Sequence, residues 1–562
     1  MRRSDRAHTA RITCACHLDW QVAERCDHDV VKAIAQHQEL DAVYTLNYTS
    51  LFSEFFEYLR LIGLWEPLEA LMPEHKERWM IPALPLVLVY LQQHIAGLPS
   101  INAVEEVLLT DQTAMRIAGF NAHQIAHGIC RRGQHRRRAA EPPGRPVCAD
   151  TLARNVCMID PEAFTELFNT AVRCLAAQRV FPARVTLALD PTDIETSEHF
   201  GGAGAVTRKK KMRDRRGRMT TVETRVYGFR LIVVMETSTR IPVAAKLVQI
   251  QEHGIAHWQE LISQARANVA GYATVDTIVA DREFTDGEIM WWVREQGMGF
   301  VIPGKTNMDV VNEARQRMRQ ARAGSYTSGA HRQERQVTRR RGQGQRQREE
   351  TVATIVWGIE ELAGLDSYAP ADEQAPRYRK DARGHALNAV VVEQWDGTSC
   401  PAGKETVFLT NLPVHEALRV FDVYDERSQI ETCVNKEAKQ NWHVGHAPQR
   451  TRRAMHIHAL TVLMLMGLTR AFRAYKKRLE DDPHESEASD PLGVRRWRRR
   501  VLYENADKVI VFMGQRYGIL SLMEYSVLIN ERLHLRDAPS RAAVLARYGI
   551  KCAAHADTGA DA

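Results

Sequence analysis

The chain has 562 residues, enough for roughly three or four domains, and 44% of them are hydrophobic, which allows a sizeable core. Its net charge is +7, and the excess lies in clusters, which favours a polyanionic partner. Ten scattered cysteines form no disulfide-like framework, so we expect reduced thiols in a cytosol rather than a secreted scaffold.

Residues 1–50 are expected to be a poorly ordered leader. Five cysteine and histidine residues there could be metal ligands: Cys14, Cys16, His17, Cys26 and His28. Their spacing matches no standard zinc finger, so a disordered leader is the favoured interpretation. No apolar secretory segment follows the basic N-terminus.

Residues 51–180 form a predicted helical DNA-binding region. Apolar residues repeat at helical spacing, and short helices are separated by tight turns. This pattern suits a helix-turn-helix reader and a plain helical bundle equally well. A basic, Pro/Gly-rich linker at 131–146 suits phosphate contacts. Asp160 before Pro161 predicts a helix that starts there.

Residues 181–305 carry five short apolar strands, at 185–190, 228–235, 241–250, 275–281 and 299–303, with helices between the later ones. This order predicts a mixed α/β sheet with helices on its faces. The first and fourth strands end in Asp190 and Asp281, where sites of such sheets form.

Residues 306–405 are expected to interrupt this sheet as a basic, β-rich insertion with a mobile arginine-rich arm, and residues 406–475 to complete the core. The apolar run at 459–468 is too short to span a bilayer and predicts a buried helix, so no membrane contact is expected. Residues 476–562 are predicted to be a linker and a helical tail.

The stretch 424–442 contains no Gly or Pro and predicts one continuous helix. Tyr424, Arg427 and Glu431 occur at i, i+3 and i+7, so they share one face, and Lys439 lies near it. A carboxylate beside basic groups suits a metal-bound phosphate, in which the acid holds the cation and the bases hold phosphate oxygens.

Asp190, Asp281 and Glu431 are therefore the candidate catalytic residues and metal ligands. Carboxylates on separate elements can converge on two divalent cations about 3.5–4 Å apart, which activate the attacking oxygen and stabilise the leaving oxygen. Carboxylate ligands suit Mg²⁺, with Mn²⁺ as a substitute. The neighbouring acids Asp193, Glu195, Glu283 and Asp286 are alternatives that do not directly end an apolar strand.

These motifs resemble those of DDE transposases of the IS4 superfamily of bacterial insertion sequences. The matching segments are 189–192, 279–284 and the helix with Tyr424, Arg427 and Glu431 at family spacing. The resemblance covers roughly residues 180–470. It implies an RNase H-like core whose ligands are the three acids, and Tyr424 and Arg427 as contacts to DNA phosphates.

The resemblance also implies cut-and-paste transposition of an insertion sequence: hydrolysis at the element's end, then attack of the freed 3′-hydroxyl on a second strand. The implied partners are duplex DNA at the terminal inverted repeats, target DNA and a second protomer in the synaptic complex. The implied location is the bacterial cytoplasm, on the nucleoid when DNA is bound.

One departure concerns the family lysine, which lies seven residues after the glutamate. That position is Ala438 here, flanked by Lys436 and Lys439, and both lysines are candidate DNA contacts. Two rivals to an active transposase follow: an RNase H-like nuclease without strand transfer, and a catalytically decayed DNA-binding protein.

Overall fold

The computed structural model describes most of the chain, in these segments: 24–46, 49–71, 81, 83–121, 124–125, 146–213, 219–325, 329–341, 348–370, 385–396, 405–481, 508–529 and 539–551. The chain divides into two compact units. The first comprises 1–69, 76–155 and 472–562, and the second comprises 70–75 and 156–471.

The strands are β1 (Glu24–Arg25), β2 (Ala42–Leu46), β3 (Arg184–Thr196), β4 (Gly204–Arg213), β5 (Met219–Glu236), β6 (Pro242–Gln249), β7 (Thr274–Ala280), β8 (Gly299–Pro303), β9 (Ala330–Arg341), β10 (Arg348–Leu362), β11 (Leu387–Asp396), β12 (Thr406–Thr410), β13 (Lys508–Met513) and β14 (Arg516–Ser521).

The helices are α1 (Asp27–Ala35), α2 (Thr49–Leu61), α3 (Trp65–Glu69), α4 (Ala83–Ile95), α5 (Ala103–Val107), α6 (Gln112–Ile117), α7 (Ala149–Met158), α8 (Pro161–Ala177), α9 (Trp258–Val269), α10 (Gly287–Glu295), α11 (Asp309–Arg322), α12 (Ala417–Asp425), α13 (Ser428–Ile430), α14 (Ala438–Gln440), α15 (Arg452–Asp481), α16 (Leu522–Ile529) and α17 (Arg541–Arg547). A π-helical segment, Glu431–Glu437, joins α13 to α14, and 3₁₀ turns occupy Gly254–His257 and Arg282–Phe284.

The second unit is built on a ten-stranded mixed sheet in the order β4-β5-β3-β7-β8-β12-β11-β10-β9, with β6 also paired to β5. Within it, β6-β5-β3-β7-β8 is the RNase H-like order. β3, β7 and β8 run parallel, and β5 runs antiparallel to β3 and β6. The predicted α/β class is confirmed. The inner strands are apolar on both faces because helices such as α9 cover them.

Strands of the insertion extend the main sheet rather than standing apart from it. β12 pairs with β8, and β11, β10 and β9 follow in antiparallel register. The predicted β-rich content is therefore confirmed. The predicted mobile arginine-rich arm is wrong for its described parts, because residues 315–322 belong to α11 and residues 332–341 to β9. One face of α11 is buried and apolar, and the arginines lie on the rest of the helix. The buried residues are Val310, Val311, Ala314 and Met318.

The first unit contains the N-terminal helices and a separate four-stranded sheet in the order β1-β14-β13-β2. That sheet joins both ends of the chain, and α1, α16 and α17 contribute to its hydrophobic cluster. The expectation of a disordered leader is thus wrong for residues 24–46. The tail is not purely helical, because β-branched residues of β13 favour a hairpin with β14.

Of the possible metal ligands in residues 1–50, Cys14, Cys16 and His17 lie outside the described residues. His28 is described, and its Nδ1 lies 2.8 Å from the carbonyl oxygen of Tyr548. The helical DNA-reader interpretation of residues 51–180 and the predicted domain boundaries stay predictions.

The predicted apolar helix is present and longer than expected, since α15 has 30 residues. Residues Arg452–Arg478 are long and apolar enough to cross a membrane, but 83% of the most apolar window is buried within the protein. That burial is the behaviour of a core helix.

Candidate active site

The sheet brings Asp190 and Asp281 to the same level of two adjacent strands. Leu189 on β3 pairs with Ala280 on β7 in parallel register, so Asp190 and Asp281 leave this level on adjacent strands. The predicted strand end at Asp190 is wrong, because β3 continues to Thr196, and Asp190 is buried within it, with 7% exposure. Asp281 follows the last residue of β7, and its carboxylate accepts a hydrogen bond of 2.6 Å from the backbone N–H of Arg282.

The four neighbouring acids that were alternatives are Asp193, Glu195, Glu283 and Asp286. They engage other partners. Arg230 pairs with Asp193 at 2.9 Å and with Glu283 at 3.3 Å, and Arg208 pairs with Glu195 at 2.9 Å. Asp286 accepts hydrogen bonds from the first N–H groups of α10 as its N-cap. Their charges are thus already used in ion pairs or a helix cap.

The third acid lies on a broken helix. The stretch 424–442, predicted as one continuous helix, passes from the end of α12 through α13, the π-helical segment and α14. In the π-helical segment each N–H reaches back five residues, as when the N–H of Ala438 donates to the carbonyl of Cys433. The sequence contains no proline or glycine to mark this change. Such segments are rare and occur frequently at functional sites.

Arg427 connects this helix to the strands. Its Nη1 donates to Asp190 Oδ1 at 3.0 Å, and its Nη2 donates to Glu431 Oε1 at 2.5 Å. Its Nε donates to the Tyr424 hydroxyl at 3.1 Å. The arginine side chain is only 12% exposed, whereas that of Glu431 is 51% exposed. The predicted residues Tyr424, Arg427 and Glu431 are therefore brought together with Asp190.

Asn435 is a member of the site that no sequence pattern singled out. Its Nδ2 donates to Asp190 Oδ2 at 3.0 Å, so both oxygens of Asp190 are held by residues of one helix. The available signal was its position, one helical turn after Glu431. Burial raises the pKa of Asp190, Arg427 and Asn435 lower it, and the charges of Asp281 and Glu431 raise it, for a result of about 6.

Two further contacts fasten the broken helix to the turn between β5 and β6 and to α15. Before the π-helical segment, Thr237 donates to Glu426 Oε2 at 2.6 Å. At the segment's end, Arg470 donates to Glu437 Oε2 at 2.6 Å. The irregular segment is therefore held at both ends by side-chain contacts.

A family comparison gives this geometry its context. The family model described as "Transposase DDE domain" matches residues 182–468, which is just over half of the chain. The chain belongs to this transposase family. None of the curated proteins matches the sequence. A similar solved structure is the cryo-EM structure of a piggyBac transposase synaptic complex with hairpin DNA, at 10% identity and a TM-score of 0.34. That alignment covers 91% of this chain and 87% of the other.

Lys436 and Lys439 lie on the helix that carries Glu431, one on each side of Ala438. Neither has an acidic partner among the described residues. Lys436 and Lys439 are both exposed, whereas Ala438, seven residues after Glu431, is fully buried. The cause is the π-helical segment. A π-turn holds more residues than the 3.6 of an α-turn. The seventh residue after Glu431 therefore does not return to the helix face that carries Glu431.

The acidic side chains of the DDE domain are of the chemical type that binds a hard divalent cation. Asp190, Asp281 and Glu431 supply carboxylate oxygens: Asp190 and Asp281 follow paired residues of adjacent strands, and Arg427 bonds both Asp190 and Glu431. Among the described residues, no three acidic, His or Cys side chains lie close enough to enclose one ion. Mg²⁺ is commonly held by one or two carboxylates, with water and substrate phosphate as its other ligands.

Proposed function

We propose that this transposase catalyses cut-and-paste transposition of a bacterial insertion sequence of the IS4 superfamily. One observation carries the proposal. Asp190 and Asp281 leave the same level of adjacent parallel strands, and Arg427 links Asp190 to Glu431 across the site. This arrangement supports a site built from three acids that lie far apart in the sequence of a chain that belongs to the DDE family.

In the proposed reaction, water attacks the phosphorus at the element's end, and the 3′ oxygen leaves with a proton as a hydroxyl. That 3′-hydroxyl attacks the opposite strand, which closes a hairpin on the element and releases the flanking DNA with its own 3′-hydroxyl. Water reopens the hairpin, and the restored 3′-hydroxyl of the element attacks a phosphodiester of target DNA and displaces the target's own 3′ oxygen. Two bound Mg²⁺ ions, or Mn²⁺ in their place, would supply Lewis-acid activation of the attacking oxygen and stabilisation of the leaving oxygen.

The chain's own residues divide the remaining work. Asp190, Asp281 and Glu431 would hold the ions. Arg427 is proposed to bind a phosphate oxygen of the cleaved end, since its guanidinium matches phosphate geometry. The Tyr424 phenol stays protonated, because burial raises its pKa more than Arg427 lowers it, and it can therefore donate a hydrogen bond to the same phosphate.

Lys436 and Lys439 are proposed to contact the DNA backbone beyond the cleaved phosphate, since both are exposed on the helix that carries Glu431. The proposed partners are the terminal inverted repeats, target DNA and a second copy of this chain that holds the other end. The proposed location is the bacterial cytoplasm, on the nucleoid when DNA is bound.

The test is cleavage and joining of a labelled duplex that carries the flanking element's terminal repeat. Wild type and Glu431→Ala are compared with Mg²⁺ and with EDTA. We expect metal-dependent nicking and joined products from wild type, both lost in the variant. Cleavage without joined products would favour an RNase H-like nuclease. Retarded DNA migration with no cleavage by wild type would favour a decayed DNA-binding protein.

A further inference from the structure

Asn435 occupies a position that the family signature does not explain. Its Nδ2 donates to Asp190 Oδ2, while Arg427 Nη1 donates to Asp190 Oδ1, each at 3.0 Å. We infer that Asn435 belongs to the divalent-cation site of this chain, as a residue that positions Asp190 and contributes a neutral oxygen. This inference rests on the proposed metal-dependent function.

The orientation of the Asn435 amide follows from its partner. An ionised carboxylate only accepts hydrogen bonds, so the NH₂ group of the amide must face Asp190. The other atom, Oδ1, is buried and has no hydrogen-bond donor within the described part of the chain. Leaving a buried acceptor unpaired costs about 1–3 kcal/mol, so such groups are uncommon.

An amide oxygen beside carboxylates has a clear chemical use. Mg²⁺ and Ca²⁺ take neutral oxygens of Asn and Gln as well as carboxylate oxygens. The charges of Asp281 and Glu431 both act on Asp190, so a fourth carboxylate would add repulsion to the metal-free site. A neutral oxygen adds a ligand for the cation without adding to the repulsion among the carboxylates.

The π-helical segment connects this role to the fold. It contains both Glu431 and Asn435, and it turns Ala438 into the core. The fourth residue after the glutamate reaches Asp190, while the seventh fills a buried position. This chain places an uncharged amide at its metal site, and its lysines lie on either side of the buried alanine.

The experiment measures Mn²⁺ binding to the full chain without DNA, from the electron paramagnetic resonance signal of free Mn²⁺. The variants are Asn435→Leu, which is similar in size, and Asn435→Ala. Gln440→Leu, an exposed change on the same helix, is the matched control. We expect about 10- to 100-fold weaker Mn²⁺ binding in both Asn435 variants, because partners that orient metal ligands contribute that much affinity.

Thermal unfolding separates this role from a structural one. Asn435→Leu removes the unpaired Oδ1 but also the Nδ2 donor to Asp190, so the two effects oppose each other and the melting temperature should change little while the Mn²⁺ affinity falls. Equal affinities in wild type and both Asn435 variants would overturn the inference and leave the proposed function standing. Wild type that binds Mn²⁺ as expected but neither cleaves nor joins terminal-repeat DNA would overturn the function and not the inference.

Discussion

Asp190 lies on a strand with a hydrogen-bonded strand on each side, whereas Glu431 lies on a helix whose hydrogen-bonding pattern changes along its length. The strand half of the site, β3 and β7 with their aspartates, is fixed by backbone register and apolar packing. The helix half, residues 424–442, is fixed by side-chain bonds from Arg427, Thr237 and Arg470. Mutations should therefore affect the two halves differently.

The largest effect is expected for Arg427→Ala. It removes the only side chain found to bond both Asp190 and Glu431 within the described structure, and the proposed phosphate contact with it. We expect cleavage of terminal-repeat DNA to fall about 100- to 1,000-fold, as for loss of a positioned transition-state donor. Arg427→Lys keeps the charge but not the forked geometry, so it should recover only part of the rate. A rate within about threefold of wild type would contradict the bridging role.

The strand half should respond in stability rather than in rate. Leu187 is fully buried on β3. Leu187→Ala should lower the free energy of unfolding by about 3 kcal/mol, because it removes buried methylene groups and leaves a cavity. The cleavage rate per folded molecule should stay within about twofold. Thr274→Ala, an exposed change on β7, is the control and should cost less than about 0.5 kcal/mol. Loss of rate without loss of stability would mean that the strand half is not rigid.

The free energy of unfolding should depend on pH through His458, which contacts the loop after the helix half. This fully buried side chain on α15 lies 3.0 Å from the His443 carbonyl, and burial lowers its pKa to about 4. Above the unfolded pKa of about 6.5 both states are neutral. Between about 6.5 and 4 only the unfolded state gains the proton, so stability falls as pH falls, by about 3 kcal/mol in total.

Urea unfolding at several pH values tests this dependence against His458→Gln. The glutamine keeps a donor for the carbonyl and does not titrate. The difference between the two proteins isolates the histidine from other titrating groups. An identical loss of stability in both proteins between pH 6.5 and 4 would contradict the assignment to His458.

The smallest effect is expected at the end of the π-helical segment. Glu437→Gln weakens the half-buried contact with Arg470, whose N–O distance is 2.6 Å. We expect a loss of about 1–2 kcal/mol in the free energy of unfolding, as for a hydrogen bond to a charged group. A several-fold slower cleavage should accompany it, because Glu431 begins the same segment. Unchanged stability and rate would show that the helix half does not need this contact.

The sequence was most informative where structure is local. Apolar runs that end in an aspartate located β3 and β7, since a buried parallel strand reads as a continuous hydrophobic segment. It was least informative where pairing is distant. The strands at 24–25 and 42–46 pair with strands beyond residue 507, and neither end alone contains a signal for that sheet.

The helix half was only partly predictable. The spacing of Tyr424, Arg427 and Glu431 placed three side chains on one face correctly. The π-helical segment was not foreseen, because the sequence there has no glycine or proline that would mark a change in the helix. Asn435 was missed although it lies one helical turn after Glu431, and the burial of Ala438 between two exposed lysines was not predicted.

The most direct measurement compares metal-dependent cleavage by the three single variants Asp190→Asn, Asp281→Asn and Glu431→Gln with that of two matched neighbours, Asp193→Asn and Glu283→Gln. All five substitutions remove one acidic charge, but only the first three change residues of the proposed active site. We expect a loss of at least about 1,000-fold in the first three and near wild-type rates per folded molecule in the last two. Cleavage that survives any of the first three, or that is lost equally in all five, would contradict the site described.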